Sequence, residues 1–168
     1  EPTVNNLMGG TIQGIKLNLS GVVTTLAGSV ENSGNTDATG TAARFESPYA
    51  ITTDGNSLYI ADTSNHKIRK VEISSGIVTT LAGSSSGSTD GTGTSAKFKS
   101  PIGITTDGLN LYVTDKGNHR IRKVEISSGI VTTLAGSSSG STDGTGTSAK
   151  FYDPYGITTD GSNLYVAD

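Results

Sequence analysis

The stretch IRKVEISSGIVTTLAGSSSGSTDGTGTSAKF spans residues 68–98 and recurs letter for letter at residues 121–151. Other landmarks keep the same offset of 53 residues, since the tetrapeptide Thr-Thr-Asp-Gly begins at Thr52, Thr105 and Thr158. Self-similarity at a fixed period of this length is the signature of a repeat architecture, in which each unit buries an apolar face against its neighbour. The chain is therefore predicted to consist of stacked repeats.

Composition limits the class of protein. The 168 residues carry a net charge of −3, include no cysteine and are only 32% hydrophobic. No apolar run approaches the roughly 18 residues that a membrane span needs, and the lack of cysteine excludes disulfides and thiolate metal sites. The sequence begins at Glu1 without an initiator methionine and is rich in Ser, Thr and Gly. We therefore expect an exported protein, extracellular or periplasmic.

Short apolar runs separated by turn residues predict four strands in the first full copy, at residues 50–53, 58–61, 67–73 and 77–82. Asp54-Gly55 between the first two is a strong hairpin signal, and no ten-residue stretch has helical periodicity. Four short antiparallel strands at this period are typical of a propeller blade. The predicted fold class is all-β, a β-propeller of four-stranded antiparallel blades.

The connectors between copies are rich in Gly, Ser, Thr and Asp, and each ends in a phenylalanine that precedes a proline. We expect Phe45, Phe98 and Phe151 to wedge between neighbouring repeats as core. Asp90 and Asp143 in the connectors suggest calcium, but one carboxylate per connector is too few for a dedicated site. A turn role is favoured for both, Asp37 of the first connector appears less regular, and no cofactor is predicted.

Three motifs recur along the chain. They are Pro-x-[Gly/Ala]-Ile-Thr-Thr-Asp-Gly at residues 48–55, 101–108 and 154–161, Leu-Tyr-[Ile/Val]-[Ala/Thr]-Asp at 58–62, 111–115 and 164–168, and Asn-His-x-Ile-Arg-Lys-Val at 65–71 and 118–124. These residues resemble the NHL-repeat family of β-propellers, and bacterial multi-copy members with this Val-Thr-Thr-Leu-Ala-Gly ending look like exported proteins of undefined role. The resemblance implies the propeller fold.

The motif positions divide the chain into a leader at residues 1–10, the last two strands of a split blade at 11–28, full repeats at 29–83 and 84–136, and the first two strands of another repeat at 137–168. These are three blade equivalents, whereas propellers typically close with about four to eight blades. Open strand edges invite pairing with another chain, so we predict a homodimer that forms a six-bladed ring. A head-to-tail filament and a piece of a longer parent remain alternatives.

His66 and His119 occupy the same repeat position, and a histidine there could be a metal ligand or an acid–base group. Repetition in each copy favours a structural role, because catalysis needs one asymmetric site. In that interpretation the motif side chains stabilise the turn between the second and third strands through hydrogen bonds to the backbone. The predicted structural motif comprises Asp62, Asn65, His66, Arg69, Asp115, Asn118, His119 and Arg122, with no metal.

Two basic runs, at residues 67–70 and 120–123, raise the question of nucleic acid. The whole chain is acidic, with a pI near 5.3, whereas phosphate binding usually leaves a basic footprint on the domain. No nucleic-acid partner is predicted. We expect instead a solvated outer strand with cross-strand ion pairs that involve Glu72 and Glu125.

Catalytic signals are weak, because no nucleophile elbow has a strand–helix context and the predicted innermost strands carry no histidine. We predict a non-enzymatic binding or scaffold module, with itself as one partner. Repeated loops suit multivalent contact with a glycan or a surface protein, for which Tyr49, Tyr152 and Tyr155 are the candidate binding residues. The alternatives are a filament-forming structural protein and a propeller enzyme with a channel site.

Overall fold

The computed structural model describes residues 24–29 and 32–168. The first four strands form an antiparallel sheet in chain order, here called sheet 1. They are β1 (Pro48–Thr53), β2 (Ser57–Asp62), β3 (Lys67–Glu72) and β4 (Val78–Ala82). Each boundary lies within two residues of the prediction, so the apolar runs and the Asp-Gly turn locate these strands correctly.

Sheet 2 repeats this pattern and adds a short strand from the connector. Its order is β5-β9-β8-β7-β6, with β5 (Gly91–Thr92), β6 (Pro101–Thr106), β7 (Asn110–Asp115), β8 (Arg120–Glu125) and β9 (Ile130–Ala135). The corresponding connector of sheet 1 makes a single bridge, from Thr39 to Ile77. Sequence analysis missed this edge pairing, because Gly-Thr carries no strand signal. Sheet 3 is the hairpin of β10 (Ile157–Thr159) and β11 (Leu164–Val166).

The three sheets pack face to face, with β1, β6 and β10 as neighbours, like blades of a propeller. The core between sheets 1 and 2 takes Tyr59, Ala61, Ile68 and Ala82 from one side and Phe98, Ile104, Leu111, Val113, Val124 and Val131 from the other. Phe98 is fully buried there, so its predicted wedge position is confirmed. Phe45 and Phe151 are half-buried.

Sheets 2 and 3 are joined by a close backbone approach. Thr114 Oγ1 accepts the N–H of Gly103 at 2.7 Å and donates to the carbonyl of Tyr155 at 2.8 Å. A Cβ at position 103 would collide with that carbonyl, so only glycine fits at this point of β6. Thr63 makes a comparable bond from sheet 1 to sheet 2, donating to the carbonyl of Pro101 at 2.7 Å.

The chain segment before sheet 1 contacts the connector in the same way as the ends of β4 and β9. The N–H of Gly28 donates to the carbonyl of Gly40 at 3.1 Å, as Gly83 donates to Gly93 and Gly136 to Gly146. Residues 24–28 are in no strand of the described structure. The predicted leader at residues 1–10 and the predicted strand residues 11–23 lie outside the described residues.

The helical elements of the described residues are 3-10 turns of three residues, including Thr63–Asn65 and Lys116–Asn118. Within residues 24–29 and 32–168, no helix has the length and apolar character needed to cross a membrane.

An aspartate organises each tight hairpin turn. The carboxylate of Asp54 accepts the N–H groups of Asn56 and Ser57 at 2.9 and 2.8 Å and the hydroxyl of Tyr59 at 2.7 Å. Asp107 in sheet 2 is held in the same way. Partial burial alone would raise the pKa of Asp107, but donors from Asn110, Leu109 and Tyr112 outweigh it and lower that pKa well below its usual range.

These turns make stability sensitive to alkaline pH. Burial, followed by the hydrogen bond to Asp54, raises the pKa of Tyr59 from 10.0 to about 12. Between these values the folded chain keeps a proton that the unfolded chain has released, so the free energy of unfolding falls as pH rises from 10 to 12. Urea titrations followed by circular dichroism across this window should show that fall. The Tyr59→Phe variant should show a smaller one, and an equal fall in both proteins would contradict the assignment to Tyr59.

Candidate functional site

The guanidinium of Arg69 lies in a cradle of two carboxylates and two backbone carbonyls. Its side chain is fully buried, and it forms ion pairs with Asp62 at 2.7 Å and with Asp37 at 2.6 Å. The remaining groups of the cradle are the carbonyls of Arg44 and Thr36, at 2.9 and 3.0 Å, and the ring of Phe45, whose centroid lies 4.9 Å from Cζ. These acceptors satisfy N–H donors along two sides of the planar guanidinium.

Sheet 2 contains a second cradle, displaced by one repeat. Arg122 forms ion pairs with Asp115 and Asp90, both at 2.7 Å. The carbonyls of Lys97 and Thr89 accept at 3.0 and 3.1 Å, and the ring of Phe98 lies 5.1 Å from Cζ. Burial raises the pKa of Asp115, while the donors from Asn118, Lys99 and Arg122 oppose that rise. The cradle is therefore a property of the repeat.

The prediction of a solvated outer strand is wrong for these two arginines. The pairing register shifts between Ile68 and Arg69, and again between Ile121 and Arg122. The unpaired residue of each bulge lies in β4 or β9, whereas β3 and β8 pair regularly with β2 and β7, so Ile68 and Arg69 lie on opposite faces of β3. Both are buried because Ile68 packs in the core between sheets 1 and 2 and the connector covers Arg69. The expected cross-strand ion pairs of Glu72 and Glu125 are not among the ion pairs of the described residues.

Asn65 and Asn118 connect their turns to the preceding connector. Asn65 Nδ2 donates to Asp62 at 2.9 Å and to the carbonyl of Gly34 at 2.7 Å. Asn118 makes the equivalent bonds to Asp115 at 2.8 Å and to the carbonyl of Gly87 at 2.6 Å. The aspartate–asparagine pair thus holds the connector over the guanidinium, in addition to its position in the turn.

The two histidines contact the following repeat. Both adopt left-handed backbone conformations at the end of a 3-10 turn, with φ of 57° for His66 and 56° for His119. His66 Nδ1 accepts the N–H of Ser100 at 3.1 Å, and His119 Nδ1 donates to the carbonyl of Tyr152. Each histidine therefore links one sheet to the start of the next. No group of three or more His, Asp or Glu residues in the described part of the chain is arranged to hold a metal ion.

Two of the three candidate binding tyrosines come together at the inner edge of the sheets. The hydroxyls of Tyr49 and Tyr155 are 2.8 Å apart, and their rings meet edge to face with centroids at 5.7 Å. Lys116 Nζ lies 5.1 Å from the centroid of the Tyr155 ring. Tyr152 is exposed but is not part of this pair, because it lies in the connector ahead of the proline. The result is an exposed aromatic pair from the first and third sheets.

The face of sheet 1 that points away from sheet 2 is an open apolar groove. It has a volume of about 430 Å³ and is lined by residues that include Leu26, Phe45, Tyr49, Ile51 and Ile60. Ile51 is 59% exposed, whereas Ile104, its counterpart in sheet 2, is 6% exposed beneath sheet 1. Within residues 24–29 and 32–168, the same repeat face is therefore covered in sheet 2 and open in sheet 1.

Comparison with known proteins agrees with these features. The family model for the NHL repeat matches residues 98–124, which run from Phe98 through the Asn-His-x-Ile-Arg motif. The NHL repeat-containing protein 2 of Homo sapiens is 36% identical over 125 residues, or 66% of this chain. The chain belongs to the NHL-repeat family. It spans 17% of the length of the human protein.

Two solved structures from Bacteroides thetaiotaomicron have a fold similar to that of this NHL-repeat chain. An auxiliary nutrient binding protein superposes with a TM-score of 0.62 at 24% identity, over 70% of this chain and 34% of its own. A structural genomics protein of unknown function gives a TM-score of 0.62 at 27% identity, over 74% of this chain and 35% of its own. These similarities support a propeller-like, all-β fold.

Sequence analysis missed the role of the connector aspartates of this NHL-repeat chain, which form ion pairs in the cradles. Asp90 pairs with Arg122 and accepts the N–H of Thr133 at 3.1 Å, so a role confined to its own turn is wrong. Asp37 was expected to be less regular, but it makes the same contacts with Arg69 and Thr80. The available signal was the constant offset of 53 residues between these two aspartates.

Proposed function

We propose that the chain is a non-enzymatic, exported binding or scaffold module that completes a propeller ring by self-association. The open groove of sheet 1 is the observation that supports this proposal. An exposed apolar face of this kind is typical of an interaction site, and in sheet 2 the same face is covered by a neighbouring blade.

Sheet 3 of a second copy of the chain has an exposed surface equivalent to the one with which sheet 1 packs on sheet 2. Tyr59 of sheet 1 is 1% exposed where it packs on sheet 2, whereas its counterpart Tyr165 on sheet 3 is 55% exposed. Sheet 3 of one copy would therefore cover the groove of sheet 1 in another. Such a contact joins two different surfaces, so it either closes a ring or continues as a filament. In the closed form, two copies supply the six blade equivalents that the repeat count predicts.

Ligand contact is assigned to the tyrosine pair in this proposal. Tyr49 and Tyr155 combine exposed rings with hydroxyls, which suits a glycan or the polar surface of another protein. In the ring, the two copies would present this pair twice, which increases the avidity for a repetitive partner.

Light scattering across a dilution series tests the association. The chain should have twice its mass of 17.1 kDa as a stable species, and Ile51→Asp should weaken association by more than about tenfold because it places a carboxylate in the apolar joint. Leu109→Asp is the matched control, since Leu109 is exposed on a turn outside the groove. A mass that grows with concentration would indicate the filament. A parent chain that is monomeric throughout, or an Ile51→Asp variant that associates normally, would contradict the proposal.

A further inference from the structure

Tyr49 and Tyr155 occupy a position at which the copies of the repeat differ. The offset of 53 residues makes Tyr49, Ile102 and Tyr155 counterparts, each directly after the proline of its copy. Ile102 is 6% exposed, whereas Tyr49 and Tyr155 are 59% and 40% exposed within the described residues. The repeat itself therefore does not require an aromatic residue at this position.

The phenol groups of these two tyrosines are in direct contact. The hydroxyl of Tyr155 donates to that of Tyr49 at 2.8 Å, and the rings meet edge to face at an angle of 81°. This hydrogen bond raises the pKa of Tyr155 above its ordinary value, so the bond is retained at neutral pH. The ortho carbons of a phenol are two bonds from its oxygen, so the contact brings ortho carbons of the two rings near each other. Rotation of exposed side chains is fast and samples their closest approach.

Sheet 2 holds Tyr155 in this position. Thr114 Oγ1 donates to the carbonyl of Tyr155 at 2.8 Å, and Lys116 Nζ lies 5.1 Å from the centroid of the Tyr155 ring. Lys116 also forms an ion pair with Asp153 at 3.4 Å. The contact between two tyrosines 106 residues apart is therefore maintained by the packing of one chain, and it requires no second copy.

The composition of the chain favours one-electron oxidation at tyrosine. The sequence contains no cysteine and no tryptophan, which leaves tyrosine as the side chain that loses a single electron most readily. All six tyrosines lie within the described residues, and among them only Tyr49 and Tyr155 have rings in contact. The hydroxyls of Tyr59, Tyr112 and Tyr165 donate instead to the aspartates of their own hairpins. Two tyrosyl radicals of one chain therefore meet at this pair.

We propose that Tyr49 and Tyr155 are a site of oxidative modification, at which a haem peroxidase with hydrogen peroxide couples them into an intrachain dityrosine. Each phenol loses one electron and its hydroxyl proton, and the two radicals form a carbon–carbon bond between ortho positions. The hydrogens on the two bonded carbons then move through solvent to the phenol oxygens, which restores both aromatic rings. The pair loses two electrons and two protons in total, and hydrogen peroxide takes them up to become two water molecules.

The dityrosine joins sheet 1 to sheet 3 across sheet 2. It closes a loop between residues that are 106 positions apart, and a cross-link over a long loop strongly restricts the unfolded chain. The modification therefore stabilises the stacked sheets. It does not depend on the self-association proposed above, because both tyrosines belong to one chain.

Treatment of the full chain with a haem peroxidase and hydrogen peroxide tests the proposal. The product should show the blue fluorescence of dityrosine, and its intact mass should be that of a single chain that has lost two hydrogens. The coupled fraction should stay constant across a dilution series of the chain, since the reaction is intramolecular. The cross-linked chain should unfold at a higher urea concentration than the untreated chain, as followed by circular dichroism.

Three phenylalanine variants locate the site. Tyr49→Phe and Tyr155→Phe keep the ring but remove the phenol, and each should abolish the intrachain product. Tyr152→Phe is the matched control, because Tyr152 is 67% exposed but lies outside the pair, and it should give the parent yield. No intrachain product, a product that forms only between chains, or an equal loss of product in Tyr152→Phe would each overturn the proposal.

Discussion

Replacing Arg122 by methionine is expected to lower the free energy of unfolding by about 3–5 kcal/mol. The guanidinium is fully buried, and its partner Asp115 is equally inaccessible to water. Methionine would leave that carboxylate buried without its counter-ion and would remove the donors to Asp90 and to the connector carbonyls. Urea unfolding followed by circular dichroism measures the loss, which is a large share of the stability of an ordinary domain.

Lys123→Met is the matched control, because it removes a positive charge from the neighbouring position of β8, where the side chain is half-buried. Its effect should be about 0.5 kcal/mol or less. The double variant Asp115→Asn with Arg122→Met should recover about 1–2 kcal/mol, since the uncompensated charge is then gone. A loss below about 1 kcal/mol for Arg122→Met alone would mean that the cradle is not a main source of stability.

Local sequence signals predicted the strands and their turns well. Alternating apolar residues and the Asp-Gly pair act within a few residues, so β1 to β4 follow from the sequence to within two positions. The same signals identified the inner strands and the phenylalanine between repeats. The constant period of 53 residues identified which positions of successive repeats are equivalent, and this was the long-range information that the sequence supplied.

The cradles could not be predicted in this way. Asp37 and Arg69 are 32 residues apart, and half of the acceptors are backbone carbonyls, which have no residue signature. Arg69 directly follows the buried Ile68 but lies on the other face of β3, where it is buried because the connector covers it. The contact between Tyr49 and Tyr155 spans 106 residues and depends on how successive sheets are angled. Tertiary geometry therefore determines the site, while the period shows only that the site repeats.

Phe98→Ala is expected to lower the free energy of unfolding by about 3–5 kcal/mol. The ring is fully buried between sheets 1 and 2, and it also forms one wall of the Arg122 cradle. The cavity would separate the sheets where β4 ends, since Gly83 leaves no side chain there that could fill the space. Chemical unfolding of the variant and the parent under identical conditions provides the measurement.

Phe45→Ala and Phe151→Ala are natural controls, because they remove the same side chain from the same repeat position. Both rings are half-buried, so each substitution should cost less, about 1–2 kcal/mol. The loss should be largest for Phe98→Ala because a sheet lies on each side of the Phe98 ring. An equal loss in the free energy of unfolding for all three variants would contradict this explanation. It would mean that each phenylalanine stabilises only its own connector and that Phe98 does not hold sheets 1 and 2 together.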